Sequence, residues 1–487
     1  MWVGGVCGSI AQRFRRRGDF DAFLVIDAFG KSSRVLLVVA AVGAVFLFLT
    51  GKPAGSGALV VWTFDRASAD SFPAEVDGRS VEVRRVPVRL LDVRVMALSM
   101  AAGGREKGSG GGGVGIQGGP VDLVETEMGS VGKYFLSPSV AEGAWVGLGE
   151  RLAAAPWAKS LPESRLAVWR DTTGVQRLLP RDIHPTTLTY QPELFAEVGL
   201  DATVARTWGE LAELCGAYER ARAELGQASH RAIEWPRANA SVVLLILQQR
   251  GVELISAGGR PDLSDPRIAE TLAAYAGWVG RAGVPPARSV ELTAGDLIAG
   301  RLAMLPTADW RAGLIERAAP ELSGKLRMRP LPVFSLTENN APTATWGGTG
   351  IGIPASARDP EASWRLLELL YTDNSAAVDR YLATRVLPVL PETWGDPRLT
   401  ASEPFYGGQA VGRLLAALAG ALPPAAARRV SPLYPTVQME LNGVTSAVVS
   451  GHAEGDPGAT RAFAERLLAA AQVRLDARWA ALGGAPR

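Results

Sequence analysis

In 487 residues there are only two cysteines, Cys7 and Cys215, and three histidines, His184, His230 and His452. Two cysteines build neither a disulfide framework nor a zinc cluster. The histidines stand too far apart for a ligand pattern such as HExxH, so no metal site and no cofactor is expected. Charge of one sign is equally scarce. The formal net charge is +2, and residues 1–52 carry +4 of it (Arg13, Arg15, Arg16, Arg17, Lys31, Arg34 and Lys52 against Asp19, Asp21 and Asp27), which leaves −2 for the rest. A nucleic-acid partner needs a dense basic face to displace counterions, and a near-neutral body has none to offer. The glycine-rich GGTGIG at 347–352 lacks the lysine of a phosphate loop and leads into a strand pattern, which argues against nucleotide binding. No repeat at solenoid periods is present.

Long apolar runs are also missing, with one exception. Residues 35–49, VLLVVAAVGAVFLFL, hold no charged or hydrogen-bonding side chain and are bounded by Arg34 and Lys52. As a helix the run spans roughly 22 Å, or roughly 25 Å with Thr50 and Gly51, a little short of a ~30 Å hydrocarbon core. A cleaved signal peptide would have a short basic start and an A-x-A-like site. Here 34 residues precede the run and only Ala54–Ala58 offers a weak site, so an uncleaved single-pass anchor over 35–51 is the favoured reading. The basic cluster before it places residues 1–34 in the cytoplasm and the body outside the cell membrane. Residues 19–29, DFDAFLVIDAF, read either as a short helix along the inner leaflet or as a solvated tail.

With 47% hydrophobic and 21% charged residues, the remainder has the composition of an ordinary globular protein, and its length suits two or three domains of ~150 residues. ALVVWTF (58–64), VEVRRVPV (81–88) and VDLVE (121–125) read as strands, with a helix over 90–102. The order suggests a mainly parallel sheet in an α/β fold. Between them, residues 102–120 are so glycine-rich that a flexible surface loop is expected. Thr207 and Glu210 form a capping box, after which Leu211, Leu214, Cys215, Tyr218 and Leu225 share a helical face. Asp265-Pro266 and Asp359-Pro360 each open a helix. Ile268, Leu272, Tyr275 and Val279 form the stripe of the first, and Phe463, Leu467, Ala471, Leu475 and Trp479 mark a last amphipathic helix. AGDLIAGRLAML (294–305) reads as a short helix ending at Gly300 and then a buried strand.

Several of these landmarks, in order, resemble the extracellular solute-binding proteins of ABC importers, family 1, whose best-known relative is the maltose-binding protein. The resemblance covers roughly residues 58–480. Its most specific stretch sets Pro180, Tyr190, Leu194, Phe195 and Gly199 ahead of Thr207-Trp208-Gly209-Glu210-Leu211. VDLVETEMGSVGKYF (121–135), Gly300-Arg301-Leu302-Ala303-Met304 with Asp309-Trp310, and TWGGTGIGIPASARDPEASWRLLELLY add to it. The glycine-rich loop and basic tail depart from the pattern, and no cysteine follows the apolar run as in the family's lipoproteins. The resemblance implies a two-lobed periplasmic-binding-protein fold (type II) preceded by the transmembrane helix. Lobe 1 would comprise 58–182 and 331–390, and lobe 2 would comprise 187–327 and 391–487. It also implies solute binding in the cleft, ABC permease subunits as partners and no catalysis. A tethered sensor signalling to another membrane protein is the alternative use of the same cleft.

Thirteen tryptophans, several beside turns, suggest a carbohydrate ligand, because sugar C–H faces lie flat on indole rings while the hydroxyls need acceptors. Trp62, Trp310 and Trp346, the last followed by Gly347, lie near the implied cleft and are candidate platforms or, alternatively, core aromatics. Trp235, in a polar turn, is open to either use. Trp208 and Trp278 lie on capped helices and read as packing. Glu125 and Glu127 alternate along the third strand and would face the ligand together as acceptors. Two carboxylates approaching from one side do not suit a glycosidase, whose pair must sit roughly 5–9.5 Å apart across a bond. Asp182 and His184 fall at the first inter-lobe crossing, 180–190. His184, held extended by Pro185, either donates to ligand or braces the hinge. Asp309 either meets ligand or caps the turn before Trp310.

Overall fold

The computed structural model describes residues 57–103, 121–130, 134–135, 138–256, 258–281, 289–423, 431–452 and 456–483. The basic tail, the expected anchor at 35–51 and the glycine-rich residues 104–120 lie outside them. Among the described residues no helix is long and apolar enough to cross a membrane.

Strands β1 (Leu59–Thr63), β2 (Glu75–Val76), β3 (Arg79–Arg85), β4 (Leu123–Glu127) and β5 (Leu178–Pro180) precede the first crossing. Strands β6 (Thr186–Tyr190), β7 (Arg231–Ile233), β8 (Leu302–Ala308) and β9 (Arg327–Pro330) follow it, and β10 (Thr349–Gly352) comes last. They form two sheets, ordered β2-β3-β1-β4-β10-β5 and β7-β8-β6-β9. All of β1 is buried, as suits a β-branched strand covered on both faces. The expected parallel pairing holds at β3-β1-β4. It fails beyond, where β10 runs antiparallel to both β4 and β5, because the chain enters β10 directly from the other lobe and not through a crossover helix.

Each sheet carries its own core. Leu59, Val61, Leu123, Leu179, Ile351 and Leu367 centre the first. The second sheet has a cluster around Leu188, Ile233 and Met304 and another around Leu305, Met328 and Leu415. The sequence's capping devices set the helices. Thr207 Oγ1 accepts from the Glu210 N–H at 3.1 Å while the Glu210 carboxylate accepts from the Thr207 N–H at 3.1 Å, opening Trp208–Glu224. Cys215 is buried on its inner face, as are Ile268, Leu272, Tyr275 and Val279 in Pro266–Arg281. The last helix, Pro457–Ala481, buries Ala464, Leu468, Ala471 and Leu475, a stripe rotated from the expected one. It packs against Pro266–Arg281 and Tyr434–Ser450, and small residues at 464 and 471 permit the close approach.

The chain passes from the first sheet to the second between β5 and β6. The second crossing comes later than residue 331, since Leu331 belongs to a core of the second sheet and Ala341 N–H bonds the Gln249 carbonyl at 3.0 Å. Residues 374–399 alternate between lobes. Val378, Tyr381 and Leu387 lie in a second-lobe core, Val389 and Leu390 in the first-lobe core, and Leu399 in the second again.

Candidate functional site

The three connecting stretches meet at one buried ionic cluster. His184 Nδ1 lies 2.6 Å from Asp309 Oδ1, and Nε2 lies 3.0 Å from Asp182 Oδ2. Asp182 also accepts from the Thr349 N–H at 2.9 Å, on the second crossing, and Arg165 stands 3.6 Å from it. The other Asp309 oxygen accepts from the Leu387 N–H at 2.8 Å, on the third. Burial alone would push the His184 imidazole down. The Asp182 and Asp309 carboxylates outweigh that effect and hold it up at about 9, so both ring N–H groups donate. Burial would likewise raise Asp182, but the imidazolium and then Arg165 hold its carboxyl well below the usual range. His184 is not extended: its φ of 52° is left-handed, and the ring it carries lies between the two carboxylates.

Beside this cluster opens a cavity of about 460 Å³, lined from both lobes. Trp310 is the second residue of the helix Asp309–Ala318 and Trp346 lies on the second crossing. Their rings stand 6.2 Å apart at 79°, an edge-on corner fixed by a 2.9 Å bond from Trp310 Nε1 to the Trp346 carbonyl. Gly347 continues the wall with φ 89°, where a side chain would be strained. Arg311 lies over the Trp346 ring, 5.8 Å from its centroid, and donates to Glu234 at 2.5 Å. Glu127 enters from β4, Gln248 from the helix Ser241–Gln249, and Gln438 and Asn442 from Tyr434–Ser450.

Of the residues singled out in the sequence, Glu127, Trp310, Trp346 and Gly347 therefore line one cavity. Asp182, His184 and Asp309 sit together behind it as a pivot, with their polar atoms engaged. The other three candidates lie neither on the cavity nor in that cluster. Trp62 is wholly buried in β1, covered by Arg94 at 5.3 Å, because every position of a central parallel strand faces packed structure. Glu125 is also wholly buried, accepting from Thr63, from Ser68 Oγ at 2.8 Å and from Arg181 Nε at 3.1 Å. Trp235 packs on Tyr275 and Trp278 in the second-lobe core. Its neighbour Glu234, which sequence reasoning missed, is the residue that reaches the cavity. Tyr434, Gln438 and Asn442, also missed, recur four residues apart on one helical face, a spacing legible in the sequence. Among the described residues no group of three or more His, Cys, Asp or Glu side chains is placed to hold a metal ion.

Comparison with known proteins agrees with this architecture. The sequence profile of bacterial extracellular solute-binding proteins matches residues 108–377. Among solved structures, the sugar-binding protein MalE of Xanthomonas citri is 16% identical, covering 88% of this chain and 100% of its own, with a TM-score of 0.63. An ABC transporter associated binding protein from B. animalis subsp. lactis Bl-04, in complex with beta-1,6-galactobiose, is 17% identical over 89% of this chain and 99% of its own (TM-score 0.63). A solute-binding protein of Thermotoga lettingae bound with alpha-D-tagatose is 17% identical over 85% and 100% (TM-score 0.63). No curated protein matches the sequence itself.

Proposed function

The chain belongs to the bacterial extracellular solute-binding protein family, and on that footing we propose that it is the binding component of an ABC importer and takes a carbohydrate between its lobes. The observation that carries the reading is the indole corner of Trp310 and Trp346 on a cavity that also holds Glu127, Glu234, Arg311 and several amide side chains. Indole faces suit pyranose C–H surfaces, and the carboxylates and amides suit the hydroxyls around the ring edge. The similar proteins bound to a galactobiose and to tagatose support the same ligand class. Ligand contacts from both lobes favour a closed arrangement over an open one, and a permease then recognises the closed form. The chain binds and does not catalyse.

The test is a thermal-shift screen of the purified full chain with mono-, di- and trisaccharides and polyols, followed by calorimetry and small-angle scattering on the best of them. A cognate sugar raises the melting temperature and lowers the radius of gyration. Absence of saturable binding across the panel, or an unchanged radius at verified saturation, overturns the reading.

The apolar run 35–49 between Arg34 and Lys52 supports a membrane tether with the binding body outside. Protease added to intact cells or spheroplasts then digests the body and spares the tail. A soluble mature protein beginning after residue 52 would instead identify the run as a cleaved signal.

A further inference from the structure

A second cavity, of about 490 Å³, lies where the first lobe meets the alternating stretch 374–399. Phe72, Leu370, Tyr371 and Leu390 supply apolar wall, and Arg181 and Arg380 supply two cations. Arg181 is accounted for: it bonds Glu125 at 3.1 Å and lies over the Phe72 ring, 5.1 Å from its centroid. Arg380, from the helix Asn374–Thr384, is not. Its Nη1 donates to the Arg181 carbonyl at 3.0 Å, its Nε is buried with no partner, and it has no ion pair among the described residues.

The acidic groups on the same wall do not compensate it. Asp373 accepts from the Ala376 N–H at 2.9 Å as a helix cap, Asp379 bonds Arg398 at 2.8 Å, and Asp70 is exposed with no cation within ion-pair distance among the described residues. Burial and the adjacent Arg181 both press on the Arg380 charge, and the Glu125, Asp182 and Asp65 carboxylates that favour it are beyond ion-pair contact. An uncompensated guanidinium with a buried, vacant N–H on a cavity wall is costly unless something completes it.

We propose that this cavity is a second binding site, for a small organic anion that sets a carboxylate or phosphate against Arg380 and its apolar body against Phe72, Tyr371 and Leu390. Guanidinium fits such planar or tetrahedral oxyanions through paired N–H donors. The volume exceeds what an inorganic ion fills, and the apolar wall supplies a reason for the remainder. The site is independent of the sugar cleft in its residues.

The experiment uses the full chain and its Arg380→Met and Arg380→Lys variants, with sodium succinate and sodium phosphate as probes and sodium chloride at matched ionic strength as control. Succinate raises the melting temperature saturably, phosphate does so more weakly, and chloride does not. Arg380→Met weakens the succinate response at least tenfold, and Arg380→Lys weakens it less. Without anion, Arg380→Met melts at or above the parent, since it removes an unmatched charge and keeps an unbranched apolar stem. No saturable response beyond chloride, or an undiminished response in Arg380→Met, overturns the site. So does an anion-free melting temperature many degrees lower in that variant, which would show the guanidinium already satisfied within the fold.

Discussion

Asp309 and Trp310 are consecutive, yet one belongs to the pivot and the other to the cleft. The carboxylate is buried and has both oxygens engaged, on His184 and on the Leu387 N–H. The indole is half-buried and presents a ring to the cavity. The same division separates Glu125, which ties three side chains inside the first lobe, from Glu127 two residues on. It separates Trp235 in the core from Glu234 in the cleft. Chemistry alone would sort these residues the other way for Trp235. What decides is whether the side chain faces a packed core or the space between lobes: Trp235 lies in a core although its indole N–H has no partner, whereas Trp310 lines the cavity although its indole N–H bonds the Trp346 carbonyl.

The sharpest way to break this comparison is at the pivot. His184→Leu leaves two carboxylates buried without their shared cation, and is expected to cost about 3–5 kcal/mol of stability, read as a lowered urea midpoint. An unmoved midpoint would remove the pivot from the account. A related effect is expected from pH. The folded imidazole is held up at about 9 against an ordinary 6.5, so its contribution is complete below about 6.5 and lost as pH rises through about 9. The loss is about 3 kcal/mol in scale, and unfolding midpoints at pH 7 and 10 should converge in a His184→Gln variant that lacks the slope.

At the cleft the expected order reverses, with binding affected before folding. Trp310→Ala should lose about 1–3 kcal/mol of sugar affinity, ~5- to 150-fold, with a ligand-free melt near that of the parent. Retained affinity with a fall of many degrees would assign Trp310 to the core. The smallest and most discriminating pair is Glu127→Gln against Glu125→Gln. The first should weaken sugar binding by about 1 kcal/mol, roughly fivefold, and leave the melt unchanged. The second should lower the melt and leave calorimetric affinity unchanged. Equal effects on affinity would erase the distinction between the two glutamates.

The fold was legible where local chemistry acts alone. Thr207 with Glu210, and Asp359 with Pro360, announce helix starts that tertiary structure has no cause to override. The crossing at 180–190 and the cleft tryptophans 310 and 346 followed from a resemblance and not from periodicity. Trp62 and Glu125 misled because strand alternation tells two faces apart but not which face is covered, and in the first sheet both are. The late return at β10 and the lobe-switching stretch 374–399 have no local signature, since an apolar residue such as Leu387 or Val389 suits either core. His184 shows the limit most directly. Pro185 disfavours the left-handed backbone there, yet the ring so placed pairs with Asp182, two residues back, and with the distant Asp309.

The geometry of Asp309 has a mechanical reading. It is the first residue of the helix Asp309–Ala318, and the next two, Trp310 and Arg311, touch the cavity. On the proposed reading, a sugar pressing on the indole would apply torque to a helical turn whose opposite side is clamped to the first and third connecting stretches. The lever arm is a single residue long, and the clamp is made of charge-assisted bonds as short as 2.6 Å, so there is little slack in which a displacement at the ring is lost before it reaches the axle.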